Sequence, residues 1–301
     1  MINIRSSIEF IISALKCHDI TSLNTGINGG KIGYAVLIMA TFQKYGVPTV
    51  DTSHIDIVRN IINESLSKIH PTVKGFMTGN SGIIWGLRKL YNMGVIEQSE
   101  RFDRFTDIII QHGLSNFYSQ SKSITTENEI YPWGITLLQF WNGTDTLTRY
   151  LYEEKILLCL IECERILNGD EPYSFLSADK NCALLHSILY TASKAYALGI
   201  GSVRAKRLVD NVTTRDHIVI HYQNSADAAI LNALIRKESV CIPYHADSLA
   251  YLGTIAMVYD MPELFLPTYK ACNIGTDAFA QMAPEELIGI GLGLICNDGD
   301  K

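Results

Sequence analysis

Apolar residues recur along much of the chain at three- and four-residue spacing, the period of one face of an α-helix. Ile4, Ile8, Ile11, Ile12 and Leu15 form the first such stripe and predict a helix over 3–18. Ile55, Val58, Ile62, Leu66 and Ile69 form another over about 54–69, where Pro71 blocks continuation. Further striped segments cover roughly 99–118 and 146–168. Between them lie apolar segments over 31–45, 80–93, 132–141, 180–198, 245–259 and 284–296. After residue 200 the rhythm blurs: 202–222 reads as a helix broken at Thr213-Thr214, 225–237 reads as helical, and Pro262 and Pro267 break the chain. No strand pattern of period two interrupts the series.

Glycine punctuates it. Gly30-Lys31-Ile32-Gly33 and Gly79-Asn80-Ser81-Gly82 open two of the apolar segments. Glycine at a helix start lets a neighbouring backbone come close. Gly46, Gly94, Gly143 and Gly199 follow the ends of apolar segments, at a repeat of about fifty residues. Glycine just past a helix takes the left-handed conformation at little cost, and the apolar residue after it folds back onto the last turn. Such a period suits one helical hairpin per repeat: outer helix, loop, inner helix, turn. Hairpins of this kind bury their apolar faces only against neighbours. The expectation is a single all-α domain over 1–301, built of six or seven hairpins.

Composition narrows the class without changing the fold. The 301 residues are 47% hydrophobic and 19% charged, enough apolar material for a large core. A net charge of −6 and the absence of any long basic run argue against a nucleic-acid partner. The densest basic cluster, Arg204, Lys206 and Arg207, reads as a solvated helix face. Seven scattered cysteines make no disulfide framework, so a reducing compartment is expected. Ile8 to Leu15 carries Glu9 and no cleavage site follows, which favours an amphipathic first helix over a secretion signal. The expectation is a cytoplasmic protein without a membrane segment.

Gly30-Lys31-Ile32-Gly33, Gly79-Asn80-Ser81-Gly82-Ile83 and Gly289-Ile290-Gly291-Leu292-Gly293 resemble the glycine signatures of the lanthionine synthetase C-like family. The resemblance implies an α/α toroid, a ring of helical hairpins with glycine-opened inner helices. In rhythm it covers most of the chain, and in motif the first two repeats and the last. Cyclases of that family hold one zinc ion through a Trp-Cys-x-Gly element and a Cys-His-Gly element in late repeats. Neither stands here, and Cys17-His18 falls in the first outer helix. The resemblance therefore implies an accessory or peptide-binding component of peptide modification. Its partner would be a peptide or a modification enzyme, and it would use no zinc-dependent cyclase chemistry and no cofactor.

Two constellations carry alternative chemistry. Cys182 and His186 are four apart, as are Cys241 and His245, each at an inner-helix start. Residues four apart share a helix face, and two such pairs at one end of a ring would supply four zinc ligands. Cysteine is also a common small buried hydrophobe, the plainer reading. Glu129, Asp179, Asp227 and Asp247 lie near inner-helix starts, with Tyr131, Trp133, Trp141, Tyr173 and Tyr244 as possible sugar platforms. Paired carboxylates and aromatics are what a six-hairpin carbohydrate enzyme needs; helix capping and core packing explain the same residues more simply. Trp133, Tyr131, Tyr244 and Asp247 are the candidate substrate contacts, and Cys182, His186, Cys241 and His245 the candidate metal ligands. A purely structural interaction scaffold is the third reading.

Overall fold

The computed structural model describes residues 3–46, 49–68, 76–97, 99–119, 131–141, 146–168, 178–214, 225–237 and 245–297. Among these, every regular element is helical. In chain order they are α1 (Ile4–Leu15), α2 (Lys31–Tyr45), α3 (Thr52–Lys68), α4 (Asn80–Asn92), α5 (Glu100–Ser119), α6 (Tyr131–Trp141) and α7 (Thr146–Asn168). There follow α8 (Ala178–Ala197), α9 (Ser202–Thr213), α10 (Ala226–Arg236), α11 (Ala246–Tyr259), the short α12 (Leu266–Cys272) and α13 (Thr276–Phe279), and α14 (Pro284–Asn297).

The helices fall into two kinds by burial. In α1 only one stripe is buried, chiefly Ile8, Ile11, Ile12 and Leu15, as its apolar spacing predicts. In α2 the buried run is continuous from Lys31 to Met39, in α4 from Asn80 to Arg88, and in α14 from Leu287 to Ile295. A helix buried all round has neighbours on all sides. Contacts between these elements close on themselves: α2 packs on α4, α4 on α6, α6 on α8, α8 on α10, α10 on α11, α11 on α14, and α14 returns to α2. Outside them, α1 covers α14, α3 covers α2, α5 lies against α4 and α6, α7 against α6, and α9 against α8. The buried side chains form one connected core running from Ile8 to Ile295.

The glycines do the two jobs their spacing assigns. Gly46, Gly94 and Gly199 have φ of 67°, 72° and 79°. After Gly94, the amide of Val95 donates to Leu90 O at 3.0 Å and that of Gly94 to Tyr91 O at 2.9 Å. Ile200 and Gly199 repeat the pattern on Ala195 and Tyr196. These are paired left-handed caps of the Schellman type, which satisfy the last carbonyls of a helix. Gly143 lies outside the described residues. At the opening glycines the constraint is space. A Cβ on Gly82 would run into the carbonyl oxygen of Phe76, and one on Gly33 into that of Ile27.

The closest packing joins α11 to α14. A Cβ on Gly253 would strike the Gly289 carbonyl, and one on Gly293 would strike the Gly253 backbone. These two helices therefore touch backbone to backbone. Pro267 departs from its expected role as a breaker. It sits in the first turn of α12, where the missing amide hydrogen would have had no intrahelical partner.

Candidate functional site

A cavity of about 570 Å³ opens where five helices end. Gln43 comes from the last turns of α2, Lys89 and Asn92 from α4, Gln139 from α6, Tyr190 and Lys194 from α8, and Asp260 from just beyond α11. Trp85, Ile135, Leu138, Met257 and Val258 give it an apolar floor. Helix C-termini gather partial negative charge, and each leaves carbonyls without intrahelical partners. Part of that deficit is met locally: the Gln43 side-chain amide donates to Met93 O at 2.6 Å.

Two features give the rim a definite polarity. Lys89 and Lys194 stand in the last turns of α4 and α8, where a cation complements the helix dipole. Lys194 Nζ lies 5.8 Å from the centre of the Tyr190 ring. Burial, with Asp260 nearby, pushes the Tyr190 phenol well above its ordinary value, so it remains a hydrogen-bond donor. Asp260 itself stops α11 in the left-handed region, at φ 52°, with Met261 N donating to Ala256 O at 3.0 Å. The stop made by glycine in α4 and α8 is made here by an aspartate, which puts a carboxylate on the rim.

Beneath Tyr190 runs a buried polar chain. Tyr190 stacks on Tyr259, ring centres 3.9 Å apart and nearly parallel. The Tyr259 hydroxyl lies 2.7 Å from His186 Nδ1 and 3.3 Å from Ser187 Oγ. His186 Nε2 lies 2.9 Å from Asp227 Oδ1, which also accepts from the Tyr251 hydroxyl at 2.6 Å. Burial drives the Tyr259 phenol far up, so it keeps its proton and donates to Nδ1. The His186 proton is then on Nε2, directed at the carboxylate. Burial works to raise the Asp227 carboxyl, but the hydrogen bond from His186, with that from Tyr251, holds it below its usual value. The chain ties α8, α10 and α11 together with every polar group satisfied.

The residues singled out from sequence are distributed differently. Cys182 is wholly buried, and His186 has both ring nitrogens engaged, so it has no lone pair to offer a metal ion. In this arrangement it does not fit zinc. His245 is exposed at the start of α11, and Cys241 lies outside the described residues. Among the described residues, no group of three or more histidine, cysteine and acidic side chains is gathered to hold a metal. Trp133 is buried with its indole on the α5 backbone at Gly113, away from the residues that line the cavity. Asp247 is exposed. Tyr244, Glu129 and Tyr173 lie outside the described residues, as do the side chains of Tyr131 and Asp179.

Two sequence candidates do meet, in a role not foreseen. His186, read with Cys182 as half of a candidate metal site, and Asp227, read as one of four acids near inner-helix starts, are hydrogen-bonded to each other. The cavity rim lies at the opposite helix ends from the glycine-opened starts that carry the sequence signatures. Its signal was nonetheless present at the other end. Gln43, Lys89, Asn92, Gln139 and Lys194 each stand two to five residues before a stop glycine. Comparisons of the chain with protein-family models, with curated proteins and with solved structures return no match.

Proposed function

We propose that the protein is a lanthionine synthetase C-like α/α toroid that binds peptide as an accessory component of peptide modification in the cytoplasm. One observation carries this reading: five helix ends converge on a single open cavity with an apolar floor and a polar rim. A volume of about 570 Å³ is in the range of sites that enclose small ligands or a few residues of a chain. The rim offers both donors and acceptors, as a peptide backbone requires, and the floor offers room for an apolar side chain. The closed order of helix contacts and the glycine-opened helices support the toroid. Free thiols at all six described cysteines suit a reducing compartment, and no described helix is long and apolar enough to cross a membrane.

Carbohydrate cleavage is the weaker reading. It needs two carboxylates about the scissile bond, and among the described residues lining the cavity only Asp260 is acidic. Zinc-dependent cyclisation forms no part of the proposal. The family's ligand motifs are missing from the sequence, and the His186 lone pair is taken. The test uses a dehydrated, cysteine-containing peptide with protein prepared free of added metal. The expected result is peptide retention with no loss of peptide thiol. Stoichiometric zinc together with thiol loss, abolished by Cys241→Ala, would overturn the proposal.

A further inference from the structure

Building on the peptide-binding reading, we propose that the cavity recognises a carboxylate of the peptide, held between the ammonium groups of Lys89 and Lys194. Both side chains line the same cavity from different helices. Several cations elsewhere in the molecule are paired, among them Lys31 with Glu64 at 3.0 Å, Arg204 with Glu164 at 2.7 Å and Lys16 with Asp51 at 2.7 Å. Among the described residues, neither Lys89 nor Lys194 has an ion-pair partner. The helix dipole accounts for a lysine in a last turn. It does not account for two of them lining one cavity with neither drawn into an ion pair.

Among the described residues that line the cavity, the one acid, Asp260, leaves an excess of positive charge. A carboxylate entering this mouth exchanges water for two charge-assisted hydrogen bonds. Asn92 and Tyr190, which line the same cavity, carry further donors. Asp260 can accept a backbone N–H of the same ligand, and Trp85 and Met257 cover its neighbouring apolar side chain. Two sources supply this chemistry: an acidic side chain or a C-terminal carboxylate.

Three acetylated pentapeptides separate them by calorimetric titration. One carries a central glutamate and an amidated C-terminus, the second has glutamine in its place, and the third has that glutamine with a free C-terminus. The expected result is that the first or the third binds at least about tenfold tighter than the second. Which of the two gains identifies the source. The Lys89→Gln/Lys194→Gln double variant, confirmed folded by its thermal melt, should lose the difference. Should that variant not fold, the same difference in the parent should shrink as salt rises from about 0.05 M to about 0.5 M. Equal binding of all three peptides, or a difference indifferent to both lysines and salt, overturns the carboxylate proposal and leaves peptide binding standing. No binding of any of the three overturns both.

Discussion

At the scale of single residues, two glycines that look alike in sequence are required for different reasons. Gly94 has open space around it, so its requirement is purely its φ of 72°. Gly82 has an ordinary φ, and its requirement is the Phe76 carbonyl lying where a Cβ would go. The difference is measurable. Gly94→Asn should melt close to the parent, because asparagine tolerates the left-handed region, whereas Gly94→Val should cost roughly 1–2 kcal/mol. Gly82→Ala should already cost roughly 1–3 kcal/mol by overpacking against backbone, which cannot swing aside as a side chain can. If Gly82→Ala melts with the parent while Gly94→Asn does not, the two assignments are reversed. Both glycines were legible in the sequence as features of helix ends. The left-handed Asp260, Lys237 and Asn273 were not, because aspartate, lysine and asparagine occur in many other settings and only glycine marks such a stop strongly.

At the scale of elements, the junction of α1 and α3 carries a pH dependence. Asp51 caps α3, accepting from the His54 amide at 3.3 Å, and pairs with Lys16 beyond the end of α1. The His54 ring is buried beside Tyr34, with Nδ1 3.1 Å from Asp51 Oδ1, and among the described residues Nε2 has no hydrogen-bond partner. Protonation would place an N–H at that buried position with nothing to accept it. Burial lowers the His54 pKa below 6.5, against the pull of Asp51 and with a smaller push from Lys16. The sign follows from linkage. Below pH 6.5 the unfolded chain takes up a proton that the folded chain refuses, so stability falls on acidification through this window. The slope from one such group is at most about 1.4 kcal/mol per pH unit. His54→Phe keeps a ring against Tyr34 and removes the titration. Melting curves from about pH 7 to about pH 5 should fall less steeply for His54→Phe than for the parent. Parallel curves would assign the acid sensitivity elsewhere. The helices at this junction were readable from periodicity, and Asp51 was one of three neighbouring residues, with Thr52 and Ser53, able to cap α3. The burial of His54 was not, since it depends on which outer helix faces which inner one.

At the scale of the molecule, closure of the contact order distinguishes this protein from an open array. In an open array each repeat touches only its neighbours, and the ends fray independently. Here α1 and α14 are in contact, the Tyr269 hydroxyl donates to Ser7 at 3.2 Å, and Thr254 donates to Asn28 at 3.0 Å. Urea unfolding should therefore be a single transition, coincident by circular dichroism and by tryptophan fluorescence. Replacing Gly289 by leucine should force α14 from α11 and destabilise both halves together. Two separate transitions in the parent would show that the closure carries little energy. The hairpin rhythm was visible in the sequence, but the return of the last helix to the second was not. The return is made where Leu37 packs at Gly291 and Ile288 at Gly33, while Gly253, Gly289 and Gly293 seat α14 on α11, and a sequence does not say which distant residues meet.

That same glycine-lined seam has a consequence for biosynthesis. Translation delivers α14 after the other helices of the cycle, while α1 and α2, which it covers, emerge first. Until α14 arrives, Leu37 and Ile11, which pack at Gly291, lack their cover. The nascent chain thus carries an apolar gap through most of its elongation, and no earlier helix can fill it, because only a backbone bare of side chains fits so close to α11. Contacts so distant along the chain also form slowly. A ribosome stalled before residue 284 should hold a chain that is helical, open on one side, and a ready client for a chaperone that binds exposed aliphatic surface.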